Sequence, residues 1–183
     1  DVKLRKEIAM AIRECLSHEG IFGALVSHGS STVPKYIVDE NNALGGDLTN
    51  TYGIAVEELQ AAISCGINKI NVDTDIRLAV TRNMKELFVK YPELRTSTSI
   101  GEIYELLEAK KSQFDPRVFL PPILDTVMKG NIPDEDVAAI VNCVERGVKE
   151  VVGTLIVQFG SFGKAPLVEQ VTLEEMIERY KKN

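Results

Sequence analysis

Ile21-Phe22-Gly23-Ala24-Leu25-Val26-Ser27 is a short apolar run that leads into His28-Gly29-Ser30-Ser31, and Lys69-Ile70-Asn71-Val72-Asp73 leads in the same way into Thr74-Asp75-Ile76-Arg77. Short apolar runs bounded by glycine and polar residues suit strands covered on both faces. Between them Pro34 opens a helix that Gly45-Gly46 terminates, and the polar stretch Asp47 to Gly53 reads as a loop. A further helix covers Ala55 to Cys65, with Val56, Leu59 and Ile63 on one side and Gly66 as its stop. After the second run, Thr74 to Lys90 is helical, with Leu78, Met84, Leu87 and Phe88 as the buried stripe. Strands alternating with helices demand parallel pairing, so the fold class is α/β.

Working outward, Leu4, Ile8, Ile12, Cys15 and Leu16 recur at helical spacing, which predicts an amphipathic helix over Val2 to Ser17 ended by Glu19-Gly20. Beyond Pro92 the pattern carries no further strand. Helices are predicted from Ser99 to Lys111, from Pro121 to Met128 and from Pro133 towards Phe159, and Thr172-x-x-Glu175 has the form of a capping box. Two strands do not make a self-sufficient sheet, and a complete (β/α)₈ barrel takes about 250 residues. The expectation is therefore part of a larger fold.

The chain has 183 residues, 44% hydrophobic, 26% charged and 6% aromatic, which is the composition of a globular domain rather than a disordered or fibrous chain. Its 21 basic and 27 acidic residues give a net charge of −6, with the basic residues scattered, and this excludes nucleic acid as the primary partner. No apolar run approaches the roughly 20 residues of a spanning helix, so no membrane partner is expected. The segment Asp1 to Lys6 is charged and lacks the apolar centre of a secretion signal, which makes the cytoplasm the expected compartment. Cys15, Cys65 and Cys143 are odd in number and widely spaced, each among apolar neighbours, and are expected to be buried, reduced packing residues rather than a zinc ribbon or a disulfide framework.

Two constellations carry chemistry. Ser27-His28-Gly29-Ser30-Ser31-Thr32 stands at a strand's C-terminal end, where α/β folds place ligands. A neutral imidazole there can bind a metal, and a glycine followed by three hydroxyl residues can surround a phosphate; a lone structural histidine is the alternative. Asn71-Val72-Asp73-Thr74-Asp75-Ile76-Arg77 occupies the second strand-to-helix turn, where alternation points Asn71 and Asp73 to one face and the helix offers unpaired N–H groups to an anion. The plainer account, that Asp73, Thr74 or Asp75 caps the helix, leaves Asn71 unexplained. Arg77 either meets another phosphate or is solvated.

The stretch Leu25-Val26-Ser27-His28-Gly29-Ser30-Ser31-Thr32-Val33-Pro34, followed by Tyr52-Gly53-Ile54-Ala55-Val56-Glu57-Glu58-Leu59-Gln60 and Lys69-Ile70-Asn71-Val72-Asp73-Thr74-Asp75-Ile76-Arg77-Leu78-Ala79, closely resembles class II fructose-1,6-bisphosphate aldolases. Phe114-Asp115-Pro116-Arg117, Phe159-Gly160-Ser161 and Val171-Thr172-Leu173-Glu174-Glu175-Met176 continue the likeness in the same order, from about residue 24 to the end, though not continuously. The resemblance implies the C-terminal part of a (β/α)₈ TIM barrel with additional C-terminal helices. It also implies zinc-dependent, reversible cleavage of fructose 1,6-bisphosphate to dihydroxyacetone phosphate and glyceraldehyde 3-phosphate.

By that resemblance His28 is a zinc ligand, and Gly29 and Ser31 help hold the ketose phosphate. Asn71 orients the dihydroxyacetone moiety at the enediolate stage, and Asp73 and Thr74 bind the same phosphate and its surroundings. Arg77 matches a position that reaches the second phosphate, often across a subunit interface, and Asp115 and Arg117 match contacts to the far end of the bisphosphate. The ion implied is Zn²⁺, a Lewis acid that polarises the ketone, with a monovalent cation as a second candidate. The family holds its zinc with three histidines, whereas this sequence has only His18 and His28. The remaining ligands and the proton-transfer aspartate are therefore expected from the N-terminal half of the barrel, in the same or a separate chain. Residues 94–113 and 128–147 look like helical insertions relative to shorter members. Their stripes, Ile100, Ile103, Leu106 and Leu107, and Val137, Ile140, Val141, Val144 and Val148, are expected to pack on each other or at the interface of a homo-oligomer. A tagatose-1,6-bisphosphate aldolase and a non-catalytic phosphate-binding or assembly module stay open as alternatives.

Overall fold

The computed structural model of the chain describes residues 3–21 and 23–181. Val2, at the head of the first predicted helix, and Phe22, within the first predicted strand, lie outside the described residues. Strands β1 (Leu25–Ser27) and β2 (Ile67–Ile70) pair in parallel, Leu25 opposite Ile67, Val26 opposite Lys69 and Ser27 opposite Ile70, with an irregularity between Leu25 and Val26. Helices α2 (Lys35–Ala43) and α3 (Val56–Ser64) form the crossover between them, and α4 (Thr74–Lys90) follows β2. This is an α/β arrangement with a small parallel sheet and a predominance of helix.

β1 is shorter than the run Ile21 to Ser27 predicted, and β2 starts two residues before and ends three residues before the predicted run Lys69 to Asp73; the hydrogen bonds explain the ends. Ahead of β1, the Gly23 carbonyl accepts from Arg13 at 2.9 Å and the Leu25 N–H donates to Asn68 Oδ1 at 3.0 Å, so side chains take the place of a neighbouring strand. At the other end Asn71 N–H donates to the Ser27 carbonyl at 2.9 Å, and the chain then turns into α4. Asn71 and Asp73 thus lie past the end of β2 and are aimed by this turn, not by strand alternation.

The second half is helical, as its pattern predicts: α5 (Gly101–Ala109), α6 (Pro121–Met128), α7 (Glu135–Gln158) and α8 (Leu173–Lys181). The capping box at α8 is formed, with Thr172 N–H donating to Glu175 Oε2 at 2.8 Å and Glu175 N–H to Thr172 Oγ1 at 3.2 Å. One core joins α4 to α5, α6 and α7 through Met84, Phe88, Ile103, Leu107, Ile123 and Ile140. A second joins α2 to α4 and α7 through Ile37, Val38, Leu78, Ala79 and Val151. Gly147 permits a close approach of α7 to α4, since a Cβ there would lie 2.8 Å from Val80 N.

This packing decides between the alternatives for the α5 and α7 stripes and corrects the expectations for α1 and the cysteines. The stripes of α5 and α7 are satisfied within the chain: Ile100, Ile103, Leu107, Val137 and Ile140 are buried, and Val148 is the exposed member of the set. Their apolar faces therefore do not of themselves require a subunit contact. Helix α1 (Lys6–His18) is amphipathic as read, yet Ile8 and Ile12 are 48% and 44% exposed, because α1 is tied down by polar bonds, Lys6 to Glu58 and Arg13 to Gly23 and Gly66, rather than by its apolar stripe. Cys15 shares that face and is exposed, Cys65 caps α3 and is half-buried, and only Cys143 is buried as expected of all three. Among the described residues no helix is long and apolar enough to cross a membrane.

Candidate functional site

Because β1 and β2 are adjacent and parallel, the segments leaving their C-terminal ends meet. The side-chain amide of Asn71 lies 3.1 Å from His28 Nδ1, on an open surface. That bond engages one ring nitrogen and leaves Nε2 unengaged by it. A metal at Nε2 requires the proton on Nδ1, and so requires the Asn71 oxygen to face the ring.

Next to this pair, Ser31 reaches from the β1–α2 loop to the start of α4. Its Oγ accepts from Asp73 N–H at 3.3 Å and Thr74 N–H at 3.1 Å. The helix is therefore capped by a hydroxyl from the other loop, and not by Asp73, Thr74 or Asp75, as the plainer reading had it; Asp73 makes no side-chain cap bond. Gly29 stands at φ +64° with open space where a Cβ would go. Among the described residues the N–H groups of Gly29, Ser30 and Ser31 donate no hydrogen bond. The unengaged amides of Gly29 and Ser31, beside a hydroxyl and a helix N-terminus, are donors suited to an anion, whereas Ser30 is fully buried.

The loop is fixed from beneath. Asp75 is buried, and its carboxylate accepts from Thr32 N–H at 3.0 Å, Thr32 Oγ1 at 2.7 Å and Val33 N–H at 2.8 Å. Ser30, also buried, shares a 2.6 Å bond with Ser27 Oγ. Ile54 N–H donates to the Ser31 carbonyl at 3.0 Å, and a side chain on Gly53 would overlap the Thr32 carbonyl. A separate cleft of about 430 Å³ lies behind the loop, walled in part by Thr32, Tyr52, Asp75 and Leu155; His28 and Asn71 are not part of its wall.

Arg77, one turn along α4, is neither solvated nor solitary. Its Nε donates to Asp73 Oδ1 at 2.8 Å, a second nitrogen pairs with Asp73 Oδ2, and Nη1 donates to Asp115 Oδ2 at 2.7 Å. Arg117 returns to Asp115, with Nη2 2.6 Å from Oδ2 and its backbone N–H 3.0 Å from Oδ1. The Arg117 hydrogen bond holds the Asp115 carboxyl below the usual carboxylate range, against the opposing pull of partial burial. Two carboxylates and two guanidiniums thus form one neutral chain along the edge of the site.

Of the nine residues singled out from the sequence, the bonds described bring together His28, Ser31, Asn71, Asp73, Thr74, Arg77, Asp115 and Arg117, and Gly29 follows His28 in the chain. A complete zinc site does not fit within them: among the described residues no three His, Cys, Asp or Glu side chains converge, and His18 is exposed at the end of α1. Asp75 and the Ser27–Ser30 pair were missed as supports. The available sign was a surplus, three capping residues in a row where one suffices.

The family model described as fructose-bisphosphate aldolase class-II matches residues 1–164. A fructose-bisphosphate aldolase of Xanthobacter flavus is 34% identical over 156 residues, which cover 85% of this chain and 33% of that protein. One from Nostoc sp. (strain PCC 7120) is 35% identical over 158 residues, 86% of this chain and 33% of its own length. The fructose-bisphosphate aldolase of Giardia intestinalis is 32% identical over 180 residues, 98% of this chain and 43% of its own length. The chain thus spans well under half the length of these curated relatives.

Proposed function

Because the chain belongs to the class-II fructose-bisphosphate aldolase family, we propose that it forms the C-terminal part of a (β/α)₈ aldolase barrel and contributes its substrate-phosphate side. β1 and β2 are then two of the eight strands, and residues 94–113 and 128–147 are helical additions outside the barrel. The reaction is reversible cleavage of fructose 1,6-bisphosphate to dihydroxyacetone phosphate and glyceraldehyde 3-phosphate in the cytoplasm. The relatives, all fructose-bisphosphate aldolases, favour fructose over tagatose bisphosphate.

The observation that carries this reading is the meeting of His28 with Asn71 at 3.1 Å beside the Ser31–Thr74 bond, at the ends of two adjacent parallel strands. Gly29, Ser31 and Thr74 hold one phosphate, and remote binding of that kind serves to fix the carbon–carbon bond to be broken. Asn71 orients the dihydroxyacetone moiety. Arg77 exchanges its Asp115 partner for the second phosphate, with Asp115 and Arg117 at the far end. His28 supplies one of three zinc ligands. The other two, and the proton-transfer aspartate, come from sequence outside these 183 residues. The working assembly is a homo-oligomer, for which exposed Val148, Val152 and Ile156 on α7 offer a face.

In a longer protein containing this chain, His28→Ala should lose stoichiometric zinc. Asn71→Ala should lower kcat more than substrate affinity, and Thr74→Ala should do the reverse. The purified 183 residues should be inactive by themselves; steady-state cleavage by them with no other polypeptide would overturn the divided site.

A further inference from the structure

We propose that Asp75 is the positioning residue of the phosphate cradle, a role that rests on the phosphate reading above. Its side chain is 1% exposed, and among the described residues no cationic group pairs with it; the nearest arginine, Arg77, is committed to Asp73 and Asp115. A buried carboxylate persists only where hydrogen bonds replace water. Here they are the three bonds from Thr32 and Val33, helped by the position of Asp75 in the first turn of α4, where the helix dipole favours negative charge.

Those bonds have a geometric result. By drawing the Thr32 and Val33 N–H groups inward, the carboxylate holds Val33 at φ +48°, a conformation a β-branched residue rarely adopts. Ahead of it, the Gly29 and Ser31 amides donate no hydrogen bond among the described residues, while Ser31 Oγ reaches the α4 amides. The same helix thus supplies both the cradle's N-terminus and the carboxylate that aligns the opposing loop. Charge and geometry oppose each other: a negative group beside an anion site repels phosphate, whereas its hydrogen bonds build the site.

That opposition gives the test its sign. In a ¹⁵N-labelled longer protein containing this chain, titrated with inorganic phosphate and followed by NMR, Asp75→Asn should raise the phosphate Kd about tenfold, the scale of one lost charge-assisted hydrogen bond. Thr32 and Val33 amides should lose exchange protection while those of the α4–α7 core keep it. Tighter phosphate binding in Asp75→Asn, or unchanged protection at Thr32 and Val33, overturns the proposal. Thr32→Val removes only the hydroxyl bond and decides the matter should Asp75→Asn fail to fold: weaker phosphate binding at unchanged Tm supports the role, and unchanged affinity overturns it. A wild-type protein with no saturable response to phosphate overturns the phosphate reading itself and this role with it, an outcome distinct from variants that bind as the wild type does.

Discussion

The α4–α7 core and the loops at the strand ends are held together by different forces. Around Met84, Phe88, Ile103 and Ile140 cohesion comes from apolar burial, which is non-directional and tolerates any shape that fills the space. Around Ser31, Asp75 and Arg77 it comes from hydrogen bonds, charge-assisted at Asp75 and Arg77, each with a required distance and angle. The first region supplies stability and the second supplies placement. A defect in one should leave a different trace from a defect in the other.

The largest effect is expected in the core. Phe88→Ala should cost about 3–5 kcal/mol by loss of burial and the cavity left behind. Denaturant unfolding should show the loss, with α4, α5, α6 and α7 failing together. A cost confined to the loops would break the distinction.

A smaller effect of opposite sign is expected at the core's polar flaw. Lys85 is buried and its ammonium has no hydrogen-bond partner among the described residues, and desolvation pushes its pKa down. A depressed lysine pKa means that the folded state penalises the proton: the penalty is complete below the folded-state pKa and is relieved as pH rises from there to the ordinary lysine range. Lys85→Met should therefore raise stability by about 1 kcal/mol, measured as an increase in Tm at pH 7. An unchanged or lower Tm would show that the attraction of Glu108 offsets the desolvation.

What could be read beforehand divides along the same line. α4 at Thr74–Lys90 and α6 at Pro121–Met128 have the bounds their sequences predict, because Pro92, Pro121 and the apolar spacing are local signals. The strand ends, the half-exposed stripe of α1 and the burial of Asp75 were not legible. Each depends on a partner distant in sequence: Asn68 for Leu25, Glu58 for Lys6, Thr32 for Asp75. Residue types at the site were legible, since His28, Asn71 and Ser31 do converge; the bond that caps α4 was assigned to the wrong chain segment.

The smallest expected effect belongs to the edge of the site. The Asp115 pKa is depressed by Arg117, so its contribution to stability is present above the ordinary carboxylate range and is lost as pH falls through the folded-state value. Lowering the pH through that range should loosen the Arg77–Asp115–Arg117 chain, seen as altered Arg77 and Arg117 side-chain NMR signals, with little change in the near-ultraviolet signal of the core. The same acid response in Asp115→Asn would assign the transition to another carboxylate.

Helix α4 is also a beam. Its 17 residues span about 25 Å, with Thr74 bonded to the Ser31 hydroxyl at one end and Phe88 buried in the core near the other. A tilt of one degree about the Phe88 end carries the Thr74 amide roughly 0.4 Å, comparable to the ~0.5 Å tolerance of a preorganised site. Gly147 sits close against Val80, midway along the beam, and a methyl group added there would shift the Thr74 end without touching it.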